Sequence, residues 1–114
     1  MAIPHAQPGD VISVRPLGPA LRSTRTHALF KSDDLEVVRI VVPAGSAFPP
    51  HAVAGDITLQ CIEGRIAFSC GAGVRELAAG DLIQIAGQDM HSLRSLEDAS
   101  ALLTIALKSP GSTA

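Results

Sequence analysis

The chain has 114 residues and a formal charge of −2, which suits one domain with a single core. Apolar residues make up 46% of it but aromatics only 3%, with no Trp or Tyr, so that core must be aliphatic. A nucleic-acid binder would gather Lys and Arg on one face and offer aromatics for stacking, and neither pattern is present, so no nucleic-acid partner is expected.

The opening MAIPHAQPGD has no basic stretch leading into an apolar one, as a secretory signal would. No later apolar run approaches the roughly 20 residues that cross a bilayer. The expected setting is the cytoplasm, without membrane contact, where Cys61 and Cys70 stay reduced. Residues 1–22, with Pro16-Leu17-Gly18-Pro19 among them, read as an irregular arm carrying one short strand at Val11–Arg15.

From there the chain is a series of short β-type runs: His27–Lys31, Leu35–Val42, Ile57–Glu63, Arg65–Cys70, Asp81–Ala86, His91–Ser95 and Ala101–Lys108. The turn signals between them are Ser32-Asp33-Asp34, Pro43-Ala44-Gly45, Glu63-Gly64, Gly71-Ala72-Gly73, Gly80 and Gly87. Such spacing indicates an all-β sandwich or barrel over residues 23–108. Residues 109–114, rich in Ser, Gly and Pro, read as a flexible tail.

If Glu63-Gly64 is a two-residue turn, Cys61 faces Ile66, Leu59 faces Phe68 and Ile57 faces Cys70. Opposed residues share a side of the sheet. Ile57, Leu59, Cys61, Ile66, Phe68 and Cys70 then form one apolar face, with Thr58, Gln60, Ile62, Arg65, Ala67 and Ser69 on the other. In that register Cys61 and Cys70 lie roughly 13 Å apart, beyond the ~7 Å that a disulfide allows. Arg39 shares its strand face with Val37 and Val41; a second subunit covering that face, with Arg39 paired to an acid such as Glu36 or Glu97, is favoured over a pocket arginine that grips an anionic ligand.

Two segments resemble the motifs of the cupin superfamily. The first family motif reads Gly, five residues, His-x-His, three or four residues, Glu, six residues, Gly; here Gly45, His51 and Gly64 match, while Val53 stands for the second His and Ile57 for the Glu. The second reads Gly, five residues, Pro-x-Gly, two residues, His, three residues, Asn. Gly80 and His91 match it, and Ala86, Gln88 and Ser95 replace the Pro, Gly and Asn. The resemblance covers roughly residues 28–108 and implies a double-stranded β-helix, a jelly-roll cupin barrel.

Cupin metal sites typically use three His and one Glu to hold iron, manganese, nickel or zinc. His51 and His91 are the two such positions kept here, and Val53 and Ile57 have become apolar lining. A metal site would need a further donor; Cys70 is the leading candidate, with His27, expected at the surface, and Gln60 behind it. The expected pocket comprises His51, Val53, Ile57, Leu59, Cys61, Phe68, Cys70 and His91, with the two histidines at its mouth. Two functions stay open. One is binding of a small molecule in an apolar barrel without a cofactor; the other is a metal-dependent dioxygenase, isomerase or epimerase with a two-histidine site. A homodimer packed through one sheet is expected in either case.

Overall fold

A computed structural model describes residues 4–107 of the chain. The arm closes with a 3-10 helix at Gly18–Ser23, started by Pro19 and anchored by the buried Leu21. Nine strands follow among the described residues: β1 His27–Lys31, β2 Leu35–Val42, β3 Ala47–His51, β4 Ile57–Glu63, β5 Arg65–Cys70, β6 Gly73–Ala78, β7 Leu82–Ile85, β8 His91–Ser95 and β9 Ala99–Ala106. They form two antiparallel sheets, one ordered β1-β2-β9-β4-β7 and the other β3-β8-β5-β6. This is the expected double-stranded jelly-roll architecture.

Strand alternation selects the core. Ile57, Leu59 and Cys61 on β4, Ile66 and Phe68 on β5, and Ala99 and Ala101 on β9 point between the sheets and are buried. β2 is covered on both faces: Ile40 and Val42 join that core, while Val37, Arg39 and Val41 are buried on the outer side.

The expected β4–β5 hairpin does not form. β4 pairs with β7 and β9, whereas β5 pairs with β6 and β8, so the chain changes sheets at Gly64. Two features turn this corner. Ile62 is an extra residue against β9, since Cys61 pairs with Ala101 and Glu63 with Ser100, and such a bulge bends its strand. Gly64 then takes φ +77°, where a Cβ would fall 2.1 Å from the Asp98 carbonyl oxygen. Facing residues in packed sheets and in a hairpin alternate alike, so the apolar set was readable while the partner strand was not. Both cysteines are free, and the register from which their separation is argued falls with the hairpin.

β3 and β6 lie outside the runs expected from the sequence, and Val11–Arg15 forms no strand. β3 contains Pro49-Pro50, which an edge strand tolerates because its outer side needs no N–H donor. β6 is the opposite edge, and its exposed Val74, Arg75 and Glu76 carry little apolar pattern. The expected tail at 109–114 lies outside the described residues.

The arm is tied to the barrel at several points. The Ala6 N–H donates to Leu29 O at 2.8 Å, and the Leu17 and Gly18 N–H groups donate to the Glu63 carboxylate at 2.8 and 3.0 Å. Arg22 grips Asp98 through two hydrogen bonds of 2.8 and 2.9 Å. Arg39 of β2 also donates to Arg15 O, so the chain's own arm covers the outer side of β2 at this residue, where the sequence leads one to expect a second subunit.

Candidate functional site

The site begins with an irregularity in β3. Ala47 pairs with Arg94 and Phe48 with Leu93, but His51 pairs with His91, leaving Pro49 and Pro50 opposite Ser92 alone. The extra residue inverts the alternation, so Phe48 and His51, three residues apart, face the same side. In a regular strand of the same sequence His51, an odd number of residues after Phe48, would point away from the barrel. The imidazole centroids of His51 and His91 are 4.3 Å apart at 64°. The His91 ring also stacks on Phe68 at 5.7 Å and 14°.

Each ring is oriented by a backbone carbonyl two residues upstream. Nδ1 of His51 lies 3.1 Å from Pro49 O, and Nδ1 of His91 lies 3.0 Å from Asp89 O. A carbonyl only accepts, so in the neutral rings the proton sits on Nδ1 and Nε2 carries a lone pair. No hydrogen bond among the described residues engages either Nε2. His91 is 6% exposed, whereas His51 stands exposed at the mouth.

The two histidines border a cavity of about 210 Å³ between the sheets. Val38, Ile40, Ile57, Leu59 and Leu103 line it from one sheet, and Phe48, Phe68 and Leu93 from the other. Thr26 and Ser92 are the remaining polar lining residues, and Thr26 Oγ1 already accepts from the Val41 N–H at 2.9 Å.

Of the residues expected at the pocket, His51, Ile57, Leu59, Phe68 and His91 line this cavity. Val53 packs behind it and borders a shallow depression beside Gly55 and Ile105. Cys61 is wholly buried in the core; its thiol donates to Glu63 O at 3.4 Å, and burial pushes its pKa up. Cys70 lies at the end of β5 opposite Gly73, while Ile57 pairs with Ile85 and Ile105 in the other sheet. The geometry that made Cys70 a third ligand is therefore absent. His27 pairs with Arg39 at the sheet edge and does not line the cavity, nor does Gln60. Sequence reasoning missed Phe48, hidden beside two prolines, and Val38, Ile40, Leu93 and Leu103. The alternation of Val38 and Ile40 with Arg39 was the available signal for that pair.

Cupin chemistry would put a divalent transition metal here, and the donor set tests that. Among the described residues no group of three or more His, Cys, Asp or Glu side chains could hold an ion. Two imidazoles fall short of the three protein ligands that such sites use, so the residues present do not fit a family-type metal centre.

A second polar cluster lies outside the barrel. Arg39, 3% exposed, donates through one terminal nitrogen to Arg15 O at 2.6 Å, Ser100 Oγ at 3.0 Å and Glu63 Oε2 at 3.4 Å. Its Nε has no partner. Glu63, rather than the expected Glu36 or Glu97, is thus its acid. Burial would raise the Glu63 pKa, but hydrogen bonds from Ser100, Leu17 and Gly18 and the Arg39 charge outweigh it and hold the carboxyl below its usual range. The bulge at Ile62 is what turns Glu63 outward, beside Ser100.

No family model matches the sequence, and no curated protein sequence matches it. Solved structures do. A cupin superfamily protein from Desulfitobacterium hafniense superposes with a TM-score of 0.74 at 15% identity, covering 90% of this chain and 100% of that one. KdgF from Halomonas gives 0.68 at 20% identity, over 74% of this chain and 78% of its own. An RmlC-like cupin from Methanocaldococcus jannaschii, described as a double-stranded β-helix, gives 0.70 at 14% identity, over 86% and 93%. The chain is a small protein with the cupin fold.

Proposed function

We propose that this cupin-fold protein binds a small, largely apolar molecule in the cavity between its sheets, with the exposed His51 at its mouth and the buried His91 beside it. The observation that carries this reading is the lining, which is aliphatic and aromatic except for two imidazoles with unengaged Nε2 atoms and two hydroxyl residues. Ligand pockets are typically concave and apolar with a few convergent polar groups.

Toluene, a probe of the apolar walls alone, tests it. Titration should perturb the NMR signals of Phe68, Leu93 and Leu103, and Leu103→Trp, which fills the cavity, should abolish the response. Saturating toluene that leaves all three residues unperturbed would overturn the reading.

The alternative is a metal-dependent enzyme, drawn from the same pair of free Nε2 atoms. It would need water or substrate at every remaining coordination position. Elemental analysis of untagged protein separates the two readings. About one equivalent of metal, lost in His91→Ala, is expected of the enzyme, and an unchanged melting temperature in chelator is expected of the metal-free binder.

We also propose a cytoplasmic homodimer. Among the described residues no helix is long and apolar enough to cross a membrane. Leu82, 62% exposed, continues through Gln60 to Leu102 as a strip across β7, β4 and β9, which a second copy would cover. Sedimentation should show Leu82→Lys shifted toward monomer.

A further inference from the structure

The protonation pattern of the histidines restricts what the pocket can hold. Both Nδ1 atoms donate to backbone carbonyls, at 3.1 Å for His51 and 3.0 Å for His91, so the neutral rings offer only acceptors to a ligand. The two acceptors are not equivalent. His51 is exposed and water can reach it, whereas His91 is 94% buried between Phe68 and the His51 ring. Nε2 of His91 has no protein partner but is not enclosed, so water can meet it in the free protein, and a donor carried in by the ligand would take that water's place in the apolar cavity.

The walls limit the body of that ligand. An apolar cavity of about 150 Å³ accommodates benzene, and this one measures about 210 Å³. One ring with a hydroxyl and one or two methyl groups fills that space. The lining residues include no Lys, Arg, Asp or Glu, so a carboxylate or an ammonium group would lose its hydration without gaining an ion-pair partner.

We infer that the ligand is a neutral monocyclic molecule bearing a hydroxyl donor, a phenol or a compact cyclic alcohol, whose O–H donates to Nε2 of His91 while its ring lies among Phe48, Phe68, Leu59 and Leu93. His51 closes the solvent side and meets water or the hydroxyl oxygen's surroundings at the mouth. This rests on the pocket reading above and adds to it the requirement for a donor. It also gives the bulge in β3 a purpose, since the bulge brings the second ring over the first.

The test is a matched set of probes: phenol, toluene, anisole and benzoate, titrated calorimetrically into the untagged full chain. Phenol should bind about five- to tenfold more tightly than toluene or anisole, the worth of one neutral hydrogen bond. Benzoate should bind more weakly than any of them. In His91→Phe the phenol advantage should vanish while toluene binding persists. In His51→Phe, at the exposed mouth, the advantage should remain. Long-range proton–nitrogen spectra of the free protein should place the ring proton of His91 on Nδ1.

Equal affinity for phenol and toluene would overturn the donor requirement and leave the apolar pocket standing. A preference for benzoate, or a proton on Nε2 of His91, would overturn it too. If no probe binds, the pocket reading falls along with the inference. Phenol binding that appears only after zinc chloride is added would replace both with the metal reading. The comparison of phenol with toluene in the unaltered protein needs no variant, so misfolding of His91→Phe cannot hide the outcome.

Discussion

His51 and His91 stand opposite each other across β3 and β8 because β3 carries one residue more than β8 between Phe48 and His51. Two prolines occupy that extra length. Their fixed φ and missing N–H suit a strand edge where the ladder is already interrupted. The site is thus assembled by a defect in a strand rather than by its regular pattern.

Deleting Pro50 tests this assembly. With equal lengths on both strands His51 becomes the second residue after Phe48, so ordinary alternation should keep it on the inner face opposite His91. Its ring signals should still respond to toluene in the cavity. Inserting an alanine between Pro50 and His51 instead keeps the bulge and moves His51 one step on, to the outer face, where that response should be lost and toluene should exchange faster. Because β3 is an edge strand, the fold should survive either change with a loss of about 1–2 kcal/mol. A His51 resonance that still shifts on toluene addition in the insertion variant would show that residue parity along β3 does not aim the ring.

The Glu63 cluster predicts an acid limb in the stability curve. The folded carboxyl titrates below its usual range while the unfolded one titrates near 4.3. Between those values the unfolded chain binds more protons, so stability rises with pH there. The contribution is fully present above about pH 4.3 and is lost as pH falls through the folded pKa. Glu63→Gln should cost about 2 kcal/mol at neutral pH, since Arg39 stays buried with a neutral partner in place of a charge. It should also flatten the urea midpoint between about pH 5 and 3. Asp98, whose carboxyl is held low by the Ala44 N–H, against a smaller opposing effect of burial, and by Arg22, keeps a residual slope of the same sign. A variant curve parallel to the wild-type curve would remove Glu63 from this role.

These two clusters also show what was legible in the sequence. Alternation on β2, β4, β5 and β9 named the buried face, and the glycine-histidine spacings named the barrel. Neither Glu63 nor His51 could be placed by alternation, because each follows an extra residue that inverts it. The β4–β5 pairing failed for a related reason: the bulge at Ile62 and the corner at Gly64 send β5 to the other sheet. A two-residue period reports a side chain's face only as far as the next bulge. The arm's cover over Arg39 was illegible for another reason, since it rests on backbone groups of Arg15, Leu17 and Gly18, which every sequence has.

Two glycines at matched motif positions should respond differently to alanine. Gly45 and Gly64 both have positive φ, +83° and +77°. A Cβ at Gly45 meets nothing within 4 Å, so Gly45→Ala should cost only the left-handed strain, about 1–2 kcal/mol. At Gly64 the Cβ would fall 2.1 Å from Asp98 O and 2.8 Å from Ala99 Cα, both backbone atoms at the sheet corner. Gly64→Ala should therefore lose more than about 3 kcal/mol. Urea midpoints of the two variants check the ordering, and equal losses would mean that the corner yields.

Gln88 offers the opposite experiment. It is the only non-glycine residue with positive φ among those described, at 68°, and it occupies the position where the second cupin motif carries glycine. Its N–H donates to Val53 O at 2.7 Å, which ties the turn before His91 to the loop after His51. The side chain is exposed, so nothing is lost by removing it except contacts with water. Relief of left-handed strain, about 1–2 kcal/mol, is offset in part by the greater backbone freedom of glycine in the unfolded chain, about 0.5–1 kcal/mol. Gln88→Gly should be more stable by about 0.5 kcal/mol, raising the melting temperature by about 2–4 °C. Gln88→Ala keeps the Cβ and should gain nothing. If the glycine variant melts lower than wild type while the alanine variant does not, the Gln88 backbone is not strained, and the turn that delivers His91 depends on the restriction that a side chain imposes.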